Sequence, residues 1–351
     1  MSVAMGSSRR LPTRTVLTGG GVLLLLAFAL GASSGAYAIS TAQLWGVLRD
    51  AWQGVVAPTP EHLVFMNIRL PRLLLGIAAG AGLGVAGALM QGLFRNPLAD
   101  PGLIGISSGA ALAAGITIVL GAWLLPVLPR TLGSWTLVSM AFCGGMAVTF
   151  LIYVLSRSEG GTRMALMLLA GIAINALAGA GLGFLSVMAT DEQLRSLQFW
   201  LLGSLGGARW SAVALVGTVV LLACAAALTL SAPLNALALG ESQARLLGVD
   251  VERVKRRAIV ITAFAVGSVT AATGVIGFIG LIAPHWVRMV AGPDHRIVLP
   301  ASGLLGAALV LAADTVARTA MAPSELPLGV LTAFIGVPMF LLMLRHYRNR
   351  I

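Results

Sequence analysis

The chain has 351 residues, of which 58% are hydrophobic and only 10% are charged, and its mean hydropathy is +0.94. This composition excludes a soluble protein, because apolar runs long enough to cross a hydrocarbon core of about 30 Å recur along the whole chain. The net charge of +11 would suggest a nucleic-acid partner in a soluble protein, but here the basic residues lie in short connections between apolar runs and indicate membrane orientation instead.

Ten apolar runs predict an all-α integral membrane protein that forms a single transmembrane domain over residues 1–351. With the N-terminus inside, most Lys and Arg residues fall on the cytoplasmic side, so both termini are expected there. The predicted spans cover residues 16–36, 73–92, 103–125, 132–155, 164–188, 211–230, 258–273, 275–290, 297–316 and 328–344.

The first span also fits a secretory signal peptide. Basic residues precede it, and Ala36-Tyr37-Ala38 matches a cleavage site of the A-x-A kind. Against cleavage, the apolar run is long for a signal peptide, and the nine remaining spans would place the two termini on opposite sides. The residues of this region alone leave both readings open.

Two connections on the predicted outer side are expected to contain short helices that lie at the membrane surface. In residues 40–52, Ser40 and Gln43 form a capping box. In residues 191–207, leucines repeat at helical spacing and Gly206-Gly207 is expected to end the helix. Each segment is either a surface connector or part of a gate or docking surface.

Small residues recur at every fourth position on two spans. On the second span, Gly76, Gly80 and Gly84 predict close packing against another helix. On the fifth span the same spacing predicts either close packing or the lining of a wide path. The fifth-span face consists of Gly171, Asn175, Gly179 and Gly183.

The long charged segment over residues 233–257 has the composition of a docking platform for another protein. It is followed by about 35 residues, 258–292, that must cross the membrane twice if the charges on both sides are cytoplasmic. Glycines at three-residue spacing and Pro284 predict that at least one of these two helices is short or broken.

Charged side chains at the predicted outer ends of two spans go against the positive-inside trend. Asp314 and Arg318 lie four residues apart on the ninth span and can form an ion pair. Arg69 and Arg72 precede the second span. Guanidinium groups bind carboxylates bidentately, so three arginines here predict a receptor for carboxylates, with lipid headgroup phosphates as the alternative.

The sequence predicts neither a catalytic site nor a metal site. The four histidines lack metal-ligand spacing, and the sole lysine, Lys255, excludes a phosphate-binding P-loop, so any energy source must be a partner protein. Two rivals remain. One is an intramembrane hydrolase that uses Ser107 or Ser108 of a G-x-S-x-G match with His285 as base, and the other is a passive channel.

Several motifs resemble one family along nearly the whole chain. They include Arg69-Leu-Pro-Arg72, 95–102 (RNPLADPG), Ala238-Leu-Gly-Glu241, 277–285 (GFIGLIAPH) and Glu325-Leu-Pro-Leu-Gly329. They closely resemble permease subunits of ABC importers for vitamin B12, iron-siderophores and haem. The resemblance implies ten spans per subunit in a vitamin B12 importer permease-like fold. It also implies a homodimer in the bacterial inner membrane, two cytoplasmic subunits that use ATP and Mg, and a periplasmic binding protein.

The resemblance also implies roles for individual residues. Arg69, Arg72 and Arg318 are expected to pair with glutamates on the two lobes of the binding protein, and the fifth span to line the path. The residues expected to contact the ATPase are Leu237, Gly240, Glu241, Ala244, Leu247 and Gly248. The family retains the first span, which argues against a signal peptide. The sequences of residues 94–105 and 197–207 most resemble those of haem importers, so haem is the expected substrate, with an iron-siderophore or vitamin B12 as alternatives.

Overall fold

The computed structural model describes residues 11–348 except 36, 38, 55–58, 125–131, 160 and 322–323. Antiparallel strands β1 (Arg157–Ser158) and β2 (Gly161–Thr162) form a hairpin between α5 and α6. The helices are α1 (Thr13–Ser33), α2 (Thr41–Trp52), α3 (Pro60–Leu93, including a π-helical turn at Phe65–Arg69), α4 (Ile106–Leu124), α5 (Trp135–Leu155), α6 (Met164–Met188), α7 (Asp191–Leu202), α8 (Trp210–Leu228), α9 (Ser231–Ala238), α10 (Glu241–Leu246), α11 (Val251–Thr273), α12 (Ile279–Ala291), α13 (His295–Thr319) and α14 (Leu328–Arg348).

Among the described residues, eight helices are long and apolar enough to cross a membrane, namely α1, α3, α4, α5, α6, α8, α13 and α14. The predicted crossings seven and eight correspond to α11 and α12, which complete the ten helices. The first turns of α11 carry four basic residues, so its apolar part begins only near Ala258. The all-α membrane fold predicted from the sequence is confirmed.

The break predicted for residues 258–292 lies between α11 and α12. Gly274 and Phe278 adopt positive φ angles of 73° and 67°, and α12 has only 13 residues, about 20 Å of helix against a core of about 30 Å. Protein covers the break, because the Ser204 N–H donates to the Thr273 carbonyl at 2.7 Å. A Cβ on Gly336 of α14 would overlap the ring of Phe278, so this bulky residue is wedged against α14.

The centre of the molecule is the antiparallel packing of α3 against α13. A Cβ on Gly80 would overlap the carbonyl of Gly306, and one on Gly84 would overlap the carbonyl of Ser302. The backbones therefore touch where a side chain on either glycine would separate them. The close packing predicted for the glycines of this span is confirmed.

Because α3 and α13 are antiparallel, the start of α3 and the end of α13 lie at the same end of the molecule. This end differs chemically from the opposite one. The arginine end contains Arg69, Arg72 and Arg318, and the platform end contains the β-hairpin, α9 and α10. At the start of the described chain, the Leu11 N–H donates to the Val290 carbonyl at the platform end. Helix α14 starts at the arginine end and runs 21 residues away from it. Both ends of the described chain therefore lie on the platform side.

Two details near the arginine end concern the predicted surface helices. The Ser40–Gln43 capping box is confirmed, since the Ser40 N–H donates to Gln43 Oε1 at 2.9 Å and the Gln43 N–H donates to Ser40 Oγ at 3.3 Å. The second surface helix ends at Leu202, earlier than predicted, because Gly203 takes a φ of 67° and turns the chain toward α11. Ala36 and Ala38 of the A-x-A match, and the predicted end of the third span at Leu125, lie outside the described residues.

Candidate docking, coupling and path surfaces

The arginine end is organised around Arg72. Its guanidinium lies between two carboxylates that are far apart in sequence. Nε and Nη2 contact Asp314 at 3.0 and 2.9 Å, while Nη1 and Nη2 contact the two oxygens of Glu325 at 2.8 and 2.9 Å. Arg318 Nε also donates to Asp314, at 3.2 Å, which confirms the predicted i, i+4 pair. Asp314 is 1% exposed and serves two guanidinium groups at once.

Arg69 and Arg318 also bind backbone carbonyls at the end of α1 and just after it. Each donates to two different carbonyl oxygens, at 2.6 Å for both bonds of Arg69 and at 2.6 and 2.9 Å for Arg318. A helix C-terminus exposes unpaired carbonyls and partial negative charge, so cations are stabilised at this position. The acceptors are Ala32 and Tyr37 for Arg69, and Gly31 and Ser34 for Arg318.

As a result, the three arginines predicted for docking come together but are almost completely buried. Glu325 is the cluster's accessible charged group, with 44% of its side chain exposed. A hydrogen bond from Arg72 lowers the pKa of Glu325 below its usual range, so this carboxylate is ionised at neutral pH. The sequence did not predict the pairing of Arg72 with Glu325, since 253 residues separate them and no local pattern connects them.

At the platform end, the six residues predicted to contact an ATPase have different environments. Leu237 and Ala244 are buried in the hydrophobic core, where they fix α9 and α10 to the rest of the molecule. Leu247 and Gly248 are exposed. Gly240 caps the start of α10 with a φ of 114°, and the carboxylate of Glu241 is held by Lys255 at 2.9 Å.

Exposed leucines that were not predicted from the sequence accompany Leu247. Leu239, which follows α9, and Leu246, the last residue of α10, are both mostly exposed. We call Leu239, Leu246 and Leu247 the platform leucines. They sit among exposed polar residues of a charged segment, so this apolar surface is available to a partner chain. Helical spacing could have identified Leu246, which lies two residues after the buried Ala244 and therefore on nearly the opposite side of α10.

The four residues of the fifth-span face lie on α6, and their packing differs between the two halves of this helix. Gly171 packs so closely on the Leu103 carbonyl that a Cβ would overlap it. Asn175 donates to the Gly102 carbonyl at 3.3 Å and accepts from Ser108 Oγ at 2.5 Å. Gly179 and Gly183 face open space, since a Cβ on either glycine would have no neighbouring atom within 4 Å. On this face of α6, the residues toward the platform end are packed and the residues toward the arginine end are open.

A family assignment agrees with this architecture. The profile of the FecCD transport family matches residues 23–346, which is most of the chain. The chain belongs to the FecCD transport family. The match begins inside α1 and so includes the second half of that helix. Together with the eight candidate spans among the described residues, it makes this FecCD chain a multi-pass membrane protein of a transport family.

Named relatives and a solved structure agree with the FecCD assignment. The hemin transport system permease protein HmuU of Yersinia pestis is 45% identical over 94% of this chain and 95% of its own length. The cobalamin import system permease protein BtuC of Halobacterium salinarum is 41% identical over 84% of this chain and 76% of its own. An inward-facing metal-chelate type ABC transporter is 30% identical with a TM-score of 0.82, over 95% of this chain and 99% of that one.

The environment of Ser108 in the FecCD chain bears on the hydrolase alternative. Its hydroxyl lies 2.5 Å from the amide oxygen of Asn175 and 3.1 Å from the carbonyl of Gly105. Neither acceptor is a general base, so these contacts hold the hydroxyl without activating it. Among the described residues, no group of three or more His, Cys, Asp or Glu side chains could hold a metal ion.

Proposed function

We propose that this chain is the permease subunit of an ABC importer that carries haem across the bacterial inner membrane. The observation that carries the proposal is the 45% identity with the hemin permease over nearly the full length of both chains. Vitamin B12 is the second candidate substrate, since relatives named for cobalamin import reach 41% identity. An iron-siderophore is the third, and the metal-chelate transporter structure supports this broader substrate class.

In the proposed orientation the platform end is cytoplasmic and the arginine end is periplasmic, so both termini are cytoplasmic. The positive-inside rule supports this orientation, because short loops rich in Lys and Arg remain in the cytoplasm. The basic residues at the platform end include Arg95, Arg157, Arg163, Arg245, Arg253, Lys255, Arg256, Arg257 and Arg296.

At the periplasmic face, the arginine cluster is the proposed docking site for a binding protein that presents glutamates. Arg69, Arg72 and Arg318 provide three guanidinium groups against the two carboxylates of Asp314 and Glu325, so the cluster retains a net positive charge. A partner glutamate would reach Arg72 by taking the place of Glu325, whose side chain is the accessible one. Charge complementarity of this kind sets register and association rate.

At the cytoplasmic face, the platform leucines and the surrounding residues of α10 are the proposed contact for an ATP-binding subunit. The permease performs no covalent step, and the partner uses ATP and Mg. Two permease copies would enclose a path along their common axis, lined by the open half of α6 with Gly179 and Gly183. Nucleotide-driven movement of α10 would then open the path to one side at a time.

The test is uptake into proteoliposomes that contain the permease, its cognate ATPase and its binding protein. Haem, a ferric siderophore and cobalamin are compared with and without ATP. We expect ATP-dependent accumulation of haem alone. Accumulation of another chelate would reject haem as the substrate, and accumulation without ATP would reject coupled transport in favour of a channel.

Docking is tested separately with one variant and a matched control. Arg72→Met should weaken binding of the binding protein at least about tenfold, since it removes a bidentate charged contact. Arg49→Met removes an exposed arginine on α2, outside the cluster, and should leave affinity unchanged. Equal affinity of both variants and the unmodified protein would reject the arginine cluster as the docking site.

A further inference from the structure

Lys255, the sole lysine of the chain, is buried at the platform end with only 2% of its side chain exposed. Its ammonium group has three donors, and three acceptors surround it. Nζ donates to the Thr162 carbonyl at 2.7 Å, to the Glu241 carboxylate at 2.9 Å and to Glu252 Oε1 at 3.1 Å. All of its hydrogen-bonding capacity is therefore directed into the protein.

These three acceptors lie on three separate segments. Thr162 is the last residue of β2, two positions before α6 begins at Met164. Glu241 is the first residue of α10, and Glu252 lies in the first turn of α11. Lys255 thus joins α10, which lies among the platform leucines, to the strand that leads into α6.

The hairpin is also attached to α11 directly. The Thr162 N–H donates to Glu252 Oε2 at 2.9 Å, so Thr162 contacts the Lys255–Glu252 pair through both its N–H and its carbonyl. A Cβ on Gly161 would come within 2.6 Å of Glu252 Oε1, which leaves no space between the hairpin and this carboxylate. Movement of β2 relative to the ion pair is therefore restricted.

A surface role does not account for this arrangement. The neighbouring cations Arg253, Arg256 and Arg257 are all exposed, as expected for charges that only mark the cytoplasmic side. Lys255 instead reaches under α10, where withdrawing either carboxylate would leave a buried charge less well compensated. Separation of α10 from β2 is for this reason unfavourable, and the two segments are expected to move as one unit.

We propose that Lys255 is a positioning residue that transmits movement of α10 to α6 through β2. The proposal rests on the proposed function, in which an ATP-binding subunit acts on α10. It adds a route by which that action reaches the transport path: from the partner to α10, through the Glu241–Lys255–Thr162 contacts, and into the first turn of α6.

The first measurement needs no ATPase. Spin labels are attached to Gln243 on α10 and Glu159 of the hairpin loop, both exposed, and the distance distribution is recorded in nanodiscs. We expect a narrow distribution in the unmodified permease and a broader one in Lys255→Met, with Lys255→Arg in between. Arg257→Met removes a nearby exposed cation, and its distance distribution should remain narrow. Equal widths in Lys255→Met and Arg257→Met would overturn the proposal.

The second measurement is uptake per ATP hydrolysed in proteoliposomes. Lys255→Met is expected to assemble with the ATPase and to hydrolyse ATP, but to transport at least about tenfold less substrate per ATP. An unchanged ratio would overturn the proposal. If Lys255→Met fails to fold, Glu241→Gln replaces it in the spin-label comparison, which needs no ATPase, because Glu252 still neutralises the lysine. A distribution as narrow as that of Arg257→Met would then overturn the proposal.

Failure of the proposed function has a different signature. In that case the unmodified permease shows no ATP-dependent uptake or does not co-purify with the ATPase. The spin-label comparison would still report whether Lys255 holds α10 and the hairpin together. The two hypotheses can therefore fail independently.

Discussion

Replacing Asp314 by Asn tests whether the arginine cluster holds the arginine end of the molecule together. The substitution keeps the shape of the side chain and removes its charge. Asp314 is 1% exposed and accepts bonds from Arg72 Nε and Nη2 and from Arg318 Nε, at 2.9 to 3.2 Å. An amide has one acceptor oxygen and presents an NH₂ group to the second guanidinium, so at least one of these contacts becomes unfavourable.

The size of the stability loss in Asp314→Asn depends on the partners that Arg72 and Arg318 retain. Removing one member of a buried ion pair typically costs about 3–5 kcal/mol, because the other charge is left uncompensated. Arg72 retains both oxygens of Glu325, while Arg318 retains two backbone carbonyls but loses its carboxylate contact. One arginine is thus still neutralised, which places the expected loss at the lower end, about 3 kcal/mol.

The assay is reversible unfolding by SDS titration in mixed micelles, with Asp50→Asn as the matched control. Asp50 pairs with Arg49, whose side chain is 64% exposed, and a surface pair contributes about 0–1 kcal/mol. Asp314→Asn should therefore lower the free energy of unfolding by about 2 kcal/mol more than Asp50→Asn. A difference below about 1 kcal/mol would refute the view that the buried carboxylate holds both guanidiniums in place.

Gly84→Ala should destabilise the protein by about 1–3 kcal/mol, because its Cβ would overlap the Ser302 carbonyl. In the control Gly19→Ala the new Cβ meets open space, so this variant should be neutral or stabilising. SDS titration measures the unfolding free energy of both variants. Glu325→Gln should raise the affinity for the binding protein, as measured in nanodiscs, because Arg72 would lose a competing carboxylate. Since the pKa of Glu325 is lowered on folding, its contribution to stability is complete above the ordinary value of about 4.3 and is lost as pH falls through the lowered pKa.

Each of these predictions has a contrary outcome. Equal unfolding free energies for Gly84→Ala and Gly19→Ala would mean that α3 and α13 separate at no cost. Unchanged docking by Glu325→Gln would mean that the partner does not compete for Arg72. For the pH series, the stability difference between Glu325→Gln and the unmodified protein should stay constant from neutral pH to about 5 and vanish only in stronger acid. A difference that vanishes at higher pH would contradict the lowered pKa.

Local patterns in the sequence predicted features that depend on neighbouring residues. Hydropathy located eight crossings because each is a continuous apolar run. The four-residue spacing of Gly80 and Gly84 identified the α3 face that meets α13, and the same spacing paired Asp314 with Arg318. In each case the period of the α-helix converts sequence spacing into spatial proximity.

Features that depend on distant segments could not be predicted in the same way. Gly171 and Gly179 occupy equivalent positions in the four-residue pattern, yet only Gly171 meets a carbonyl from the segment before α4. Lys255 lies in a run of basic residues whose other members are exposed, so composition gives no sign that it reaches under α10. Whether a charged side chain is buried depends on which other segment packs against it. The same is true of whether a glycine face is covered.

The distribution of close contacts indicates which parts of the molecule can move. The backbones of α3 and α13 pack directly on each other at Gly80 and Gly84, and this pair runs from the arginine end to the platform end. We therefore expect relative movement between the two ends to use another element. The arginine-end half of α6 has open space beside Gly179 and Gly183, while its platform-end start follows the strand held by Lys255. In the proposed function, a helix held at its platform-end start and open beside Gly179 and Gly183 would change the width of the transport path while the α3–α13 frame stays fixed.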